Sequence, residues 1–103
     1  MKLSKNTLEV LKNFATINTN ILVREGNTLS TISTGKNIFA RAEITEAFPK
    51  EFAVYDLNSL LSLLTVMEDT DVDFGDESLT VSKGNAKFEY YYADPNITLR
   101  VLI

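Results

Sequence analysis

The 103 residues contain no cysteine, no histidine and no tryptophan. Without cysteine the chain forms no disulfide, offers no thiolate nucleophile and builds no cysteine-based zinc site. Without histidine it lacks the usual general base and the commonest nitrogen ligand for a metal. Glycine is sparse, and Gly26, Gly35, Gly75 and Gly84 stand singly, so no glycine-rich loop is available to cradle a phosphate. No apolar run is long enough to cross a bilayer, and the amino-terminal lysines precede no apolar stretch that could act as a signal peptide. Most familiar hydrolytic machinery is excluded before any motif is considered. The expected compartment is the cytoplasm.

What remains is the balance of a soluble globular domain, with 45% hydrophobic and 23% charged residues. The length suits one domain with a modest core and not two. The net charge of −4 is unevenly distributed. Residues 1–50 carry seven basic side chains (Lys2, Lys5, Lys12, Arg24, Lys36, Arg41 and Lys50) against four acids, whereas residues 51–103 carry three against ten. Such a bipolar chain can offer a basic surface to nucleic acid while its acidic remainder limits indiscriminate binding, although a small sample can also be uneven by chance.

Ser4 has the chemistry of an N-cap, and Leu8, Leu11, Phe14 and Ala15 follow at helical spacing, which predicts a helix that stops near Asn18. Its opposite stripe is Lys5, Glu9, Lys12 and Thr16. Ile21 to Val23, the region of Leu29 and Ile32, and Ile38 to Ile44 read as three short strands joined by hairpins, with turns at Glu25-Gly26-Asn27 and Thr34-Gly35-Lys36-Asn37. A strand at Lys2 to Ser4 would complete a βαβββ unit. The second half repeats the plan: a strand from Phe52 to Tyr55, Asp56 as N-cap, a helix from Leu57 to about Met67, then strands at Val72 to Phe74, Leu79 to Ser82 and Lys87 to Tyr92. The expected fold class is therefore α+β, with halves 1–49 and 50–103. Two helices would pack on one face of mostly antiparallel sheets. The second helix is apolar on more than one side, and its leucines serve either the core or another subunit.

Asp69 to Glu77 alternates acids with other residues, but the EF-hand pattern fails, because Phe74 stands where glycine is needed and Thr80 where glutamate is needed. The outward face of a strand accounts for the alternation, and no metal or cofactor is expected. Phe88, Tyr90 and Tyr92 share one face of the last strand, with Tyr91 on the other. Exposed aromatics of this kind can stack on bases, but the small supply of large residues favours a core stripe.

The opening MKLSK, the helix LKNFATIN (Leu11 to Asn18), the YDLN of Tyr55 to Asn58 and the ADP of Ala93 to Pro95 keep their order and spacing along the chain. Together they resemble the amino-terminal domain of the DNA polymerase sliding clamps of T-even-type bacteriophages, from Met1 to about Pro95. None of the matching segments is catalytic. The resemblance implies a non-enzymatic processivity factor in phage DNA replication, a ring of subunits around duplex DNA that is loaded by a clamp loader and tethers the polymerase.

In that family the lumen helices face DNA, which implies DNA-facing roles for Lys5 and Lys12 on the first helix and, more weakly, for Lys2 before it. Topological linkage needs no base readout, only a lumen that tolerates phosphate without gripping it. Family chains carry two such domains and this sequence departs from them by stopping at Ile103, as a truncated or a single-domain form would, so the second domain and the partner-docking connector are expected to lie outside it. The resemblance then assigns polymerase and loader contacts to no particular residue here. Self-association is expected, through a sheet edge or through the apolar tail Ile97 to Ile103, with a symmetric dimer as the simplest closed solution. Two other classes compete: an interaction domain pairing by sheet edges with no DNA role, and a small metal-dependent enzyme using the acidic loop.

Overall fold

The structure, a computed structural model, describes residues 1–66 and 71–94. Helix α1 runs Lys5–Ala15. It begins where the sequence predicts, because Ser4 is extended and its hydroxyl accepts the Thr7 N–H at 3.2 Å. Leu11, Phe14 and Ala15 turn inward. The helix closes at Thr16, whose hydroxyl donates to the Asn13 carbonyl at 2.6 Å.

Strand β1 (Ile21–Val23) does not pair with the strand that follows it. The sequence predicts a hairpin there, but β1 pairs antiparallel with β4 (Phe52–Val54) of the other half, Leu22 opposite Ala53. All six residues are buried, so neither strand shows the alternation that would mark an exposed face. The next pair is the hairpin expected: β2 (Gly26–Ile32) and β3 (Phe39–Phe48), joined by a turn in which the Ser33 hydroxyl accepts the N–H groups of Asn37 and Ile38. Strand β3 continues past Ile44 to Phe48, with Ile44 and Phe48 buried.

In the second half, helix α2 (Leu57–Val66) is followed by β5 (Asp71–Phe74), β6 (Ser78–Lys83) and β7 (Ala86–Tyr91), which form an antiparallel sheet in the order β5-β6-β7. The β6–β7 loop is Gly84-Asn85, with Gly84 at φ 58°, a conformation that glycine takes without a steric penalty. In the β5–β6 turn a Cβ on Gly75 would lie 2.9 Å from the Ser78 carbonyl oxygen, so a side chain is excluded there.

One core draws on both halves: Leu11 and Phe14 of α1, Leu57, Leu60, Leu61 and Leu64 of α2, and inward residues of the strands. The leucine-rich α2 thus spends its apolar surface on the core, with Leu63 half-buried against it. Phe48, Phe52, Phe74 and Tyr92 form an aromatic cluster with ring centroids 5.1–5.8 Å apart, joining three strands and the segment after β7. The halves also interlock through the backbone, where the Leu57 N–H at the start of α2 donates to the Thr19 carbonyl at 2.8 Å. Within the second half Ala53 bridges Ala93, and the Lys50 ammonium reaches Gly75 O at 2.9 Å and Asp76 at 3.0 Å.

Two further local expectations differ from the structure. Residues Lys2 to Ser4 form no strand; the pairing reduces to Met1, which exchanges two hydrogen bonds with Val72 of β5 at 2.8 and 2.9 Å. Helix capping at Ser4 turns the chain away before a ladder can form. Phe88 belongs to no core stripe, being 45% exposed although Val81 opposite it is fully buried. Along Ala86–Tyr91, β7 has a hydrogen-bonded strand on one side only among the described residues, so Phe88 is covered from that side alone. Tyr90 and Tyr92 do pack on the core, and Tyr91 points outward. Met67 and the tail Ile97 to Ile103 lie outside the described residues. No helix among the described residues is long and apolar enough to cross a membrane.

Candidate nucleic-acid interface

Helices α1 and α2 pack together, and each gives its apolar side to the shared core. Their polar sides therefore form one outer layer. On α1 this layer carries Lys5, Asn6, Glu9, Lys12 and Asn13, all exposed. On α2 it carries Asn58, Ser59, Ser62 and Thr65, all exposed and uncharged. Lys5 and Lys12 are seven residues apart, hence on one stripe and about 10 Å apart along the axis.

Between them lies Glu9, whose carboxylate is 4.0 Å from the Lys12 ammonium. Both side chains are largely in solvent, so the pair is weak and leaves Lys12 able to meet a phosphate. Lys2 is exposed in the segment before the helix and off this stripe. The structure thus places Lys5 and Lys12 on one helix stripe and Lys2 in the segment before it.

The start of each helix is held by a carboxylate. At α2, Asp56 accepts the Ser59 N–H at 3.3 Å and its hydroxyl at 2.7 Å, and these bonds hold the Asp56 pKa below its ordinary value. The Tyr90 phenol clamps the same residue from β7, donating to the Asp56 carbonyl at 3.0 Å and accepting its N–H at 3.3 Å. Desolvation raises the Tyr90 pKa, so the phenol stays protonated and able to donate.

At α1 the carboxylate comes from a distance. Glu46 of β3 accepts the backbone N–H of Ser4 on one oxygen, and on the other the hydroxyls of Thr7 (2.7 Å) and Thr45 (2.6 Å). Partial burial presses the Glu46 pKa upward, but the bonds from Thr45, Ser4 and Thr7 outweigh it and hold the value at about 2, against an ordinary 4.5. Sequence reasoning passed over this residue. The signal was present: Ala40, Ala42, Ile44, Glu46 and Phe48 share the inward parity of β3, and Glu46 is the one charge among them.

The acids of β5 face outward as the alternation predicts, Asp71 and Asp73 exposed with Val72 buried between them. Among the described residues no group of three or more acidic, histidine or cysteine side chains converges as a metal site would require. What the helix layer offers is a small, weakly cationic surface lined by amides and hydroxyls.

A family model described as DNA polymerase processivity factor matches residues 2–96, nearly the whole chain. The chain belongs to the DNA polymerase processivity factor family. Among relatives of this processivity-factor chain, the sliding clamp of Vibrio phage KVP40 is 40% identical over 95 residues, covering 91% of this chain and 43% of the relative. The sliding clamp of Escherichia phage RB69 is 44% identical over 69 residues, 67% of this chain and 30% of the relative. That of Enterobacteria phage T4 is 33% identical over 99 residues, 93% of this chain and 43% of the relative. The processivity-factor chain thus spans less than half the length of these relatives.

Proposed function

We infer that this chain is a clamp-type domain, without catalytic activity, that helps tether a DNA polymerase to duplex DNA in phage replication inside the host cell. The observation that carries the reading is the processivity-factor match over residues 2–96, which includes both helices and the lysine stripe. The stripe suits the role because it is sparse. Two exposed lysines flanking an acid attract phosphate through the ion atmosphere without fixing a register, which is what movement along DNA requires. Lys5 and Lys12 are the DNA-facing residues of this reading, with Lys2 as a peripheral contributor. The polymerase and an ATP-driven loader are its protein partners.

Self-association belongs to the same reading. Among the described residues β3 and β7 each have one long side without a hydrogen-bonded strand, and an open edge of this kind recruits another chain. Titration of linear duplex DNA at low and moderate ionic strength tests the tethering role. Weak, sequence-independent binding that weakens steeply with salt is expected of an isolated domain. Tight binding that persists at high salt, or preference for one sequence, would overturn it.

A further inference from the structure

The buried apolar anchors of α1 all lie in its last turn and a half, Leu11, Phe14 and Ala15. In the first turn the one buried side chain is Thr7, which is polar, and Leu8 is only half-buried. Lys5 is therefore carried on the end of the helix that apolar packing grips least. What grips it is Glu46, through Ser4 N–H and the Thr7 hydroxyl. The Ser4 hydroxyl adds a bond of 3.1 Å to Thr7, so N-cap, first turn and β3 form one closed polar cluster. A carboxylate at this end of a helix also meets the positive pole of the peptide dipoles.

We propose that Glu46 is a positioning residue for the lysine face of α1, fixing the first turn and through it Lys5 without touching DNA itself. The proposal rests on the DNA-tethering reading above. Its sign is opposite to simple electrostatics. Glu46 is an anion near a surface meant for phosphate, so removing its charge would by Coulomb's law alone strengthen DNA binding. If Glu46 positions the helix, removing it weakens binding, because a frayed first turn spreads Lys5 over many orientations.

The test uses the whole chain and a linear duplex at low ionic strength, comparing wild type, Glu46→Gln, Lys5→Gln and the double variant. Glu46→Gln is expected to lower affinity about threefold, and Lys5→Gln to cost less in that background than in wild type, the non-additivity of groups acting as a unit. Hydrogen exchange gives a readout independent of DNA: amides in the first turn of α1 should exchange faster in Glu46→Gln while those of α2 stay protected.

Should Glu46→Gln fail to fold, Thr45→Val removes one donor and keeps the charge, and should move both readouts the same way by less. A rise in affinity, unchanged first-turn exchange, or strictly additive costs in the cycle would overturn the proposal. If Lys5→Gln leaves wild-type binding unchanged, the DNA reading itself fails at this helix and the proposal falls with it. An additive cycle in which Lys5→Gln does weaken binding removes the proposal alone.

Discussion

Glu46 accepts the backbone N–H of Ser4, the N-cap of α1, from a position 42 residues further along the chain. In a local capping box the acid sits three residues after the cap and folds back on it. Here Thr7 stands at that place, and the acid is supplied by β3 instead. The cap has thereby become a tertiary contact, so the start of the helix and the hairpin are stabilised together.

That contact is expected to appear in acid. Glu46 is depressed from 4.5 to about 2 in the folded chain, so its contribution is fully present above about pH 4.5 and is lost as pH falls through about 2. Asp56 is depressed as well and adds to the same acid limb. The melting temperature of the wild type should fall as pH drops from about 4.5 towards 2. Glu46→Gln should start lower at neutral pH and fall less over that window. An identical acid limb in the two proteins would remove Glu46 from the account.

The Tyr90 phenol predicts a second, local effect. It satisfies both backbone groups of Asp56, the residue that starts α2, and it does so from β7. Tyr90→Phe keeps the ring on the core and deletes the bridge, leaving the Asp56 N–H to find another partner and its C=O with the Leu60 N–H at 3.3 Å alone. The expected loss is about 1–2 kcal/mol in a denaturation experiment, with the m-value unchanged. A neutral substitution would mean that solvent already serves those groups.

For the helix face the prediction concerns slope more than affinity. Each lysine that neutralises a phosphate contributes about 0.9 to the dependence of log affinity on log salt. Lys5→Gln and Lys12→Gln together should therefore flatten the slope by about 2, and Lys2→Gln, off the stripe, by less than one lysine's share. Lys36→Gln in the β2–β3 turn serves as a control, since it lies on neither helix. Equal effects from all four would show a diffuse field and no face.

Much of this architecture was legible because its signals are local. Ser4 and Asp56 have the right side chains at the right offsets, and both cap helices. The turn at Thr34 to Asn37 joins antiparallel neighbours as its composition predicts. What stayed illegible is settled by tertiary packing. The three residues of β1 carry no periodicity to say whether they prefer β2 or β4, and burial on both faces beside β4 decides it. Phe88 has the inward parity of a core residue, but no local feature says that its strand would be the last of its sheet among the described residues. The lysine stripe could be placed on a helix from spacing alone, yet the anchoring of that helix by Glu46 depends on a hairpin closing 42 residues away.

Among the described residues β7 has one edge open, and that edge makes the last prediction, on self-association. Its sequence is self-complementary. If two copies pair antiparallel about Phe88, Lys87 of each faces Glu89 of the other on the outer face, and the two half-exposed Phe88 rings meet at the axis. Glu89 also accepts from the Ser78 hydroxyl at 3.3 Å in its own sheet, an exposed contact that leaves its charge available. A head-to-tail arrangement uses the same strand differently: β7 pairs with β3 of the next copy, with Glu89 opposite Arg41 and Lys87 opposite Glu43. The first closes as a dimer, and the second builds rings or filaments. The double substitution Lys87→Glu with Glu89→Lys separates them. In the symmetric dimer each new acid faces a new base and association is unchanged. Head to tail, the swap sets a base against Arg41 and an acid against Glu43 and weakens association, since like charges opposite each other in a sheet are unfavourable. Light scattering coupled to size-exclusion chromatography over a wide concentration range reads the outcome. The symmetric arrangement is expected, with a dimer that tolerates the swap and is broken by Phe88→Glu, which puts two carboxylates on the axis. A strict monomer at every concentration would show that the edge of β7 is already protected.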